Sequence, residues 1–313
     1  MSHKFPKKTI FQKKYGRPNL FKKMRQWAIE NLALPLSVEH LNHNRKQLVV
    51  FSFDYIALRI NIDGVYELEE LDTFFSWIGQ YREKVFDGVA LDIGANIGNH
   101  SLYFSDYFKK VISFEPIPRT FKVLSLNSEL AKNITCFNVG LSDCEKLALI
   151  HINPSNMGGS GMTGKATHSQ TISLKTLDSL IDPLEDIKLI KIDVEGHEYE
   201  ALLGSEEVIR RNNPIILFEQ HKADFIDGQS KVISLIRSFG YSHFLTIQKF
   251  PKASIRLNLI SRLLYAVMAR LIFGSAMQIN IQDDFEPDFY QFIVAVPNWL
   301  NLHPEADRAS DLP

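Results

Sequence analysis

Four ionisable side chains crowd into the short stretch "KIDVEGHEYE": Asp193, Glu195, His197 and Glu198. Carboxylates and an imidazole this close together can take a proton from a substrate, and the imidazole titrates nearest neutrality. His197 is therefore one candidate general base, with Glu195 and Asp193 as the others. Each also has a structural use, because Asp193 and Glu195 can cap the helix that follows and His197 can sit in solvent in its first turn. Glu219 and His221 in "LFEQH" are the remaining candidates for a base or a substrate contact. Asp193, Glu195 and Glu219 could offer oxygens to Mg²⁺, a hard cation, but nothing in their spacing compels a metal and none is assigned.

A second constellation lies upstream, in "VALDIGANIGNHSLYF". Asp92-Ile-Gly94-Ala-Asn96-Ile-Gly98 follows an apolar run and precedes a helical pattern, so the segment predicts a strand, a tight turn and a helix. In an open parallel sheet, ligands bind beyond such a strand's carboxyl end. Glu115, followed by Pro116, closes the next strand in "SFEP", where a carboxylate can accept from both hydroxyls of a ribose. A dinucleotide site wants G-x-G-x-x-G so that the backbone can reach a pyrophosphate. Here Asn96 holds the second-glycine position, and Asp92 would repel a pyrophosphate. S-adenosylmethionine has no phosphate and carries an ammonium and a sulfonium, so an acidic, wider turn suits it. The third strand ends in "NVGLSD", placing Ser142 and Asp143 where an adenine amino group would lie. The expected cofactor contacts are thus Asp92, Gly94, Asn96, Gly98, Glu115, Pro116, Ser142 and Asp143. Asp193 would bind the methionine amino group or orient the acceptor, and His100 is a helix-start residue near the cofactor.

The elements that must position these residues begin at Gly88. Strands rich in Ile, Val and Leu alternate with helical patterns over some 160 residues. Such strands lack polar alternation because a parallel sheet is covered on both faces. The fold class is α/β, with a doubly wound, mostly parallel sheet and right-handed crossovers. The late "FYQFIVAVP" is expected to insert antiparallel. Residues 1–30 read as a basic arm, 31–87 as a small N-terminal cap with two strands around Asn61–Gly64 and a helix, and 88–297 as the main domain. That domain carries a glycine-rich loop at 153–170 and a C-terminal helical extension, an apolar helix at about 253–274, before a polar, frayed tail at 298–313. The loop is either a mobile surface segment or a lid, in which Asn156 and Ser160 would touch the acceptor. The apolar segment holds Arg256, Arg262 and Arg270, each costing about 2.5–3.5 kcal/mol at a bilayer centre, so it reads as a docked helix, a dimer face or an interfacial helix.

Composition narrows the partners. Lysine and arginine number 35 against 36 aspartates and glutamates, so no global field points to nucleic acid. The arm is the exception, with nine basic residues from Lys4 to Arg25 and no acid before Glu30. It lacks the apolar core of a secretory signal, and is either a solvated tail or an arm drawn to an anionic surface. The two cysteines, Cys136 and Cys144, cannot build a disulfide framework; they read as small buried hydrophobes in a reducing, cytoplasmic compartment.

Taken together, "LDIGANIGNHSLYF", "SFEPIPRTFKVLSLN", "NVGLSD", "SLKTLDSLI" and "IKLIKIDVEGHEYEALLG" resemble the FkbM family of S-adenosylmethionine-dependent methyltransferases. The likeness runs from Val89 to about Gln220, and its most specific part is "KIDVEGHEYEALLG" preceded by "TLDSL". It implies a class I methyltransferase fold, Rossmann-like, and O-methylation of a hydroxyl on a small molecule or glycan. The expected reaction is methyl transfer to a saccharide or glycoconjugate. The alternatives are a lipid or polyketide-type hydroxyl at a membrane surface, with peripheral membrane contact, or a non-catalytic S-adenosylmethionine-binding scaffold. Nothing in the sequence sets the oligomeric state.

Overall fold

The computed structural model describes residues 19–152, 168–182, 185–250, 276–300 and Leu302. Most of the basic arm, nearly all of the glycine-rich loop with Asn156 and Ser160, the apolar segment at 253–274 and most of the tail lie outside the described residues. The chain divides into two compact units, Met1–Arg45 and Lys46–Pro313. In the first, α1 (Leu20–Asn42) starts at Asn19, whose Oδ1 accepts from Phe21 N at 3.0 Å. The expected boundary at residue 30 therefore falls inside one helix.

The second unit opens with α2 (Tyr55–Asp63), α3 (Leu68–Ile78) and α4 (Arg82–Val85), where two strands and a helix were expected. Local capping decides for the helix. Asp54 Oδ1 accepts from Ile56 N at 2.8 Å and Ala57 N at 3.3 Å, and Gly64 ends α2 in the left-handed region. Alternating apolar residues in "YIALRINI" mimic a strand, but the two buried ones, Ala57 and Ile60, are three apart. On α3, Leu71, Phe74, Phe75 and Ile78 fall at helical spacing and join the core on one face of the sheet. Burying each contributes roughly 1.5–3 kcal/mol, so the expected cap is part of the domain.

The remaining elements are β1 (Val89–Ile93), α5 (Asn99–Phe104), β2 (Lys110–Phe114), α6 (Pro118–Ser128), β3 (Ile134–Phe137), β4 (Gly140–Leu141), β5 (Lys146–Ile152) and β6 (His168–Lys175). There follow α7 (Leu177–Leu180), β7 (Ile187–Ile192), α8 (Glu198–Leu203), α9 (Glu206–Asn212), β8 (Ile215–Gln220), β9 (Phe225–Ile226), β10 (Gln229–Ser230), α10 (Lys231–Ser238), β11 (His243–Phe250), β12 (Ala276–Ile281) and β13 (Tyr290–Val296). The main sheet runs β12-β11-β13-β8-β7-β1-β2-β3. Neighbours from β8 through β3 pair parallel, while β13 inserts antiparallel between β8 and β11. This is the doubly wound α/β sheet. Along β8, Ile216 and Phe218 enter the core on one face while Ile215 and Leu217 enter the core on the other, as a sheet covered on both sides requires.

Several local expectations change. The glycine-rich loop ends before His168, because β6 forms a three-stranded sheet with β5 and β4. The segment "YEALLGSEEVIRRN" forms two helices, α8 and α9, separated at Gly204, where a Cβ would lie 1.9 Å from Ser142 O. An extra edge strand, β12, begins at the end of the apolar segment. Trp299 and Leu300 are not frayed: Leu300 is buried, and Trp299 Nε1 donates to Asn213 O at 2.8 Å. Both cysteines are free, but Cys136 is half-buried and Cys144 exposed, not the buried pair expected.

Candidate active site

The chain leaves β1 towards β2 and β7 towards β8, on opposite sides, so the carboxyl ends of β1 and β7 bound a crevice. The turn after β1 is built by backbone hydrogen bonds: Gly94 N and Ala95 N both donate to Phe114 O, at 3.0 and 2.9 Å. Gly94 has φ +78, and a Cβ there would lie 1.8 Å from Asp193 O, so glycine alone lets the two strand ends close up. Glu115 clasps the turn. Its Oε2 accepts from Asn96 N at 3.0 Å and its Oε1 from Ile117 N at 2.8 Å. Burial pushes the Glu115 carboxyl up to about 7, against those two backbone bonds and Lys191, which pull it down.

The crevice opens into a cleft with about 790 Å³ of empty space, its open mouth included. Asn96, Glu115, Pro116, Ile117 and Ile150 line one part of it. The Asn96 Oδ1 is buried without a hydrogen-bond partner. Asp193, Glu195 and Glu219 line the part beyond β7 and β8, facing Tyr55, Tyr66 and Glu67 from the segments around α2 and α3. Glu195, in the left-handed region at φ 53, and Gly196 at φ 89 turn the chain sharply after β7. Burial, with Asp193 and Glu219 nearby, pushes the Glu195 carboxyl up to about 8. Burial also raises Glu219, whose Oε2 lies 2.9 Å from His221 Nε2, and that carboxylate holds His221 up to about 9.

Under the cleft sits Lys191, almost fully buried. Its Nζ lies 3.4 Å from Asp92 Oδ1 and 3.2 Å from Asp193 Oδ2. Burial works against the ammonium, but the Asp193 and Asp92 carboxylates outweigh it and hold the lysine charged. Glu67 accepts from Gln291 Nε2 and lies 3.0 Å from His100 Nε2. Burial raises its pKa, and the His100 contact reverses that, so it stays an anion.

Over residues 92–243 the sequence matches the model of the methyltransferase FkbM domain. Residues 92–243 are a methyltransferase FkbM domain. It is 35% identical over 141 residues to the hexuronic acid methyltransferase AglP of Haloferax volcanii, covering 44% of this chain and 57% of that protein. It is 27% identical over 201 residues to the AMB antimetabolite synthetase AmbE of Pseudomonas aeruginosa, covering 50% of this chain and 10% of that protein. The match thus spans little more than half of the first of these relatives and a tenth of the second. A solved methyltransferase FkbM from Methylobacillus flagellatus KT aligns at 17% identity, over 58% of this chain and 48% of that one, with a TM-score of 0.31, too low to carry an argument.

Within this FkbM domain, the structure brings together Gly94, Asn96, Glu115, Pro116, Asp193, Glu195 and Glu219 at the cleft. It sets other expected residues elsewhere. Asp92 is wholly buried behind the turn, accepting from Ser101 Oγ at 2.6 Å and facing Lys191, so its charge is spent inside the protein. Gly98 begins α5 behind the turn, and His100 braces Glu67. Ser142 is buried, and its Oγ donates to Asp143 Oδ1 at 2.8 Å. Asp143 is paired with Lys146 at 3.0 Å, which holds it down to about 2, away from the cleft lining. His197, the expected base, points to Ser142 Oγ at 3.0 Å and Glu200 Oε2 at 3.3 Å and does not line the cleft. Burial lowers its pKa, so it is neutral near pH 7. Glu198 braces the same turn, accepting from Val194 N and Gly196 N at 3.1 Å each. Sequence reasoning missed Tyr55, Tyr66, Glu67 and Lys191. For Lys191 a signal existed, a lysine inside the otherwise apolar "IKLIKI" just before the acidic turn.

Proposed function

We propose that the protein is an S-adenosylmethionine-dependent O-methyltransferase whose acceptor is a hydroxyl of a saccharide or glycoconjugate. The observation that carries this reading is the carboxylate-lined cleft at the β1/β7 switch point. It fits a cation-bearing nucleoside and not a pyrophosphate: Glu115 still has lone pairs for ribose hydroxyls, Asn96 Oδ1 has no partner, and Ile117 and Ile150 offer apolar surface. The FkbM domain match supports the donor, and the hexuronic acid named for AglP supports the saccharide.

The bound cofactor would supply an activated methyl group on a good leaving group. The chain's own residues then have three tasks. Glu115 and Asn96 hold the nucleoside, and Asp193 holds the ammonium or orients the acceptor. Tyr55 and Tyr66 form the wall that keeps water from the acceptor end. The acceptor's proton passes to the carboxylates at the ends of β7 and β8, with Glu195 and Glu219 in reach of the cleft and His221 backing Glu219.

The charge state of Glu115 gives a pH dependence. Ribose hydroxyls donate to the ionised carboxylate, so binding favours the form that predominates above its pKa of about 7. S-adenosylmethionine affinity, measured by calorimetry, should rise about tenfold between pH 6 and pH 8 and then level off. A Glu115→Gln variant should lose that slope.

A lipid-linked acceptor is the second reading. Tyr55 lines the cleft, and Phe53, Leu58 and Ile62 beside it or along α2 are exposed, giving an apolar rim. Incubation with methyl-labelled S-adenosylmethionine and cell extracts tests both. Label in the water-soluble glycan fraction supports the first reading, and label in the organic phase the second. Binding without transfer to any fraction would favour the scaffold and sink both.

A further inference from the structure

We infer that Glu195, Glu219 and His221 form a binding site for a divalent cation at the cleft. The inference rests on the proposed function only in calling that end of the cleft the acceptor end. Each of the three offers one ligand atom, and the three atoms lie within 4.8 Å of one another. They come from two elements whose positions the parallel sheet fixes: Glu195 from the turn after β7, Glu219 from β8 and His221 just after it. The donor set is two carboxylate oxygens and an imidazole nitrogen. That mixture suits Mn²⁺, Fe²⁺ or Zn²⁺ better than Mg²⁺, which prefers oxygen alone.

The orientation of His221 is an independent observation. Its Nε2 is buried 2.9 Å from Glu219 Oε2, an ion-pair contact without the alignment of a good hydrogen bond. The backbone around it is otherwise satisfied, with His221 N donating to Asp224 Oδ2 at 3.2 Å and Asp224 N to His221 O at 3.1 Å. The Nε2 thus has no well-aligned partner among the described residues, and Glu195 and Glu219 place their oxygens beside it. The charge around them agrees. Among the described residues no lysine or arginine lines the cleft beside Glu67, Asp193, Glu195 and Glu219, and the neighbouring Lys191 is engaged by Asp92 and Asp193. A cation held here would have coordination positions left for acceptor oxygens. Each carboxylate keeps a second oxygen, so ligation and proton acceptance do not exclude one another.

The test uses the full chain, stripped with a chelator and titrated with MnCl₂ alone, followed by electron paramagnetic resonance. One bound Mn²⁺ per chain is expected, with nitrogen modulation in the spin-echo spectrum from the His221 imidazole. Glu219→Gln and His221→Ala should each weaken binding by at least about tenfold, while His197→Ala should not. No bound Mn²⁺, no nitrogen modulation, or affinity unchanged in both variants would overturn the site. Calorimetry with S-adenosylmethionine on the same samples keeps the two questions apart. Cofactor binding without Mn²⁺ defeats only the cation site, and loss of cofactor binding in the wild type defeats the proposed function.

Discussion

A Glu115→Ala variant should bind S-adenosylmethionine on the order of 100-fold more weakly than the wild type, or not measurably. Hydrogen bonds to a charged group contribute roughly 1.5–3 kcal/mol each, and removing the carboxylate would delete both proposed ribose contacts at once. The same change frees Asn96 N and Ile117 N, which Glu115 now satisfies, so the turn itself loosens. Glu115→Gln keeps the shape and one acceptor oxygen, and should fall between the two. Isothermal calorimetry on the three proteins, with circular dichroism to confirm folding, measures this. Equal affinity in wild type and Glu115→Ala would remove Glu115 from the nucleoside site.

Glu195→Gln should lower kcat by about 10²–10⁴ while leaving S-adenosylmethionine affinity within a few-fold, because a proton acceptor acts on the acceptor hydroxyl and not on the cofactor. His197→Ala should change kcat only a few-fold. That imidazole is turned towards Ser142 and Glu200, so its loss should cost stability of the turn and not chemistry. Steady-state kinetics on both variants decides between them. A collapse of kcat in His197→Ala with Glu195→Gln unaffected would return the base to the residue that sequence spacing favoured.

That contrast shows where the sequence was legible. The turn after β1 and the acid closing β2 could be read directly, because a strand, a glycine turn and a helix are consecutive in the chain and their chemistry is local. The direction of side chains in "DVEGHE" could not. Glu195 and Gly196 both adopt positive φ, so the chain reverses there and sends His197 away while Glu195 stays at the cleft. Spacing alone carries no trace of that rotation. Asp92 was misjudged for a related reason: its partner Lys191 is 99 residues away and meets it only because β1 and β7 are neighbours. Tyr66 and Glu67 were missed because α2 looked like a strand until the Asp54 cap was seen, and a strand there gives no wall to the cleft. The mostly parallel sheet with a late antiparallel strand followed from pattern, whereas β12 did not, since "AMQINI" directly follows the apolar segment read as a helix.

The central claim is methyl transfer from S-adenosylmethionine to a hydroxyl oxygen. The most direct test is mass spectrometry of the product formed from methyl-deuterated S-adenosylmethionine and a cell glycan fraction, after alkaline and then acid hydrolysis. The predicted result is a monosaccharide carrying one deuterated methyl ether that survives alkali and is absent with Glu115→Ala. Label that alkali releases as methanol, or label on nitrogen, would contradict it.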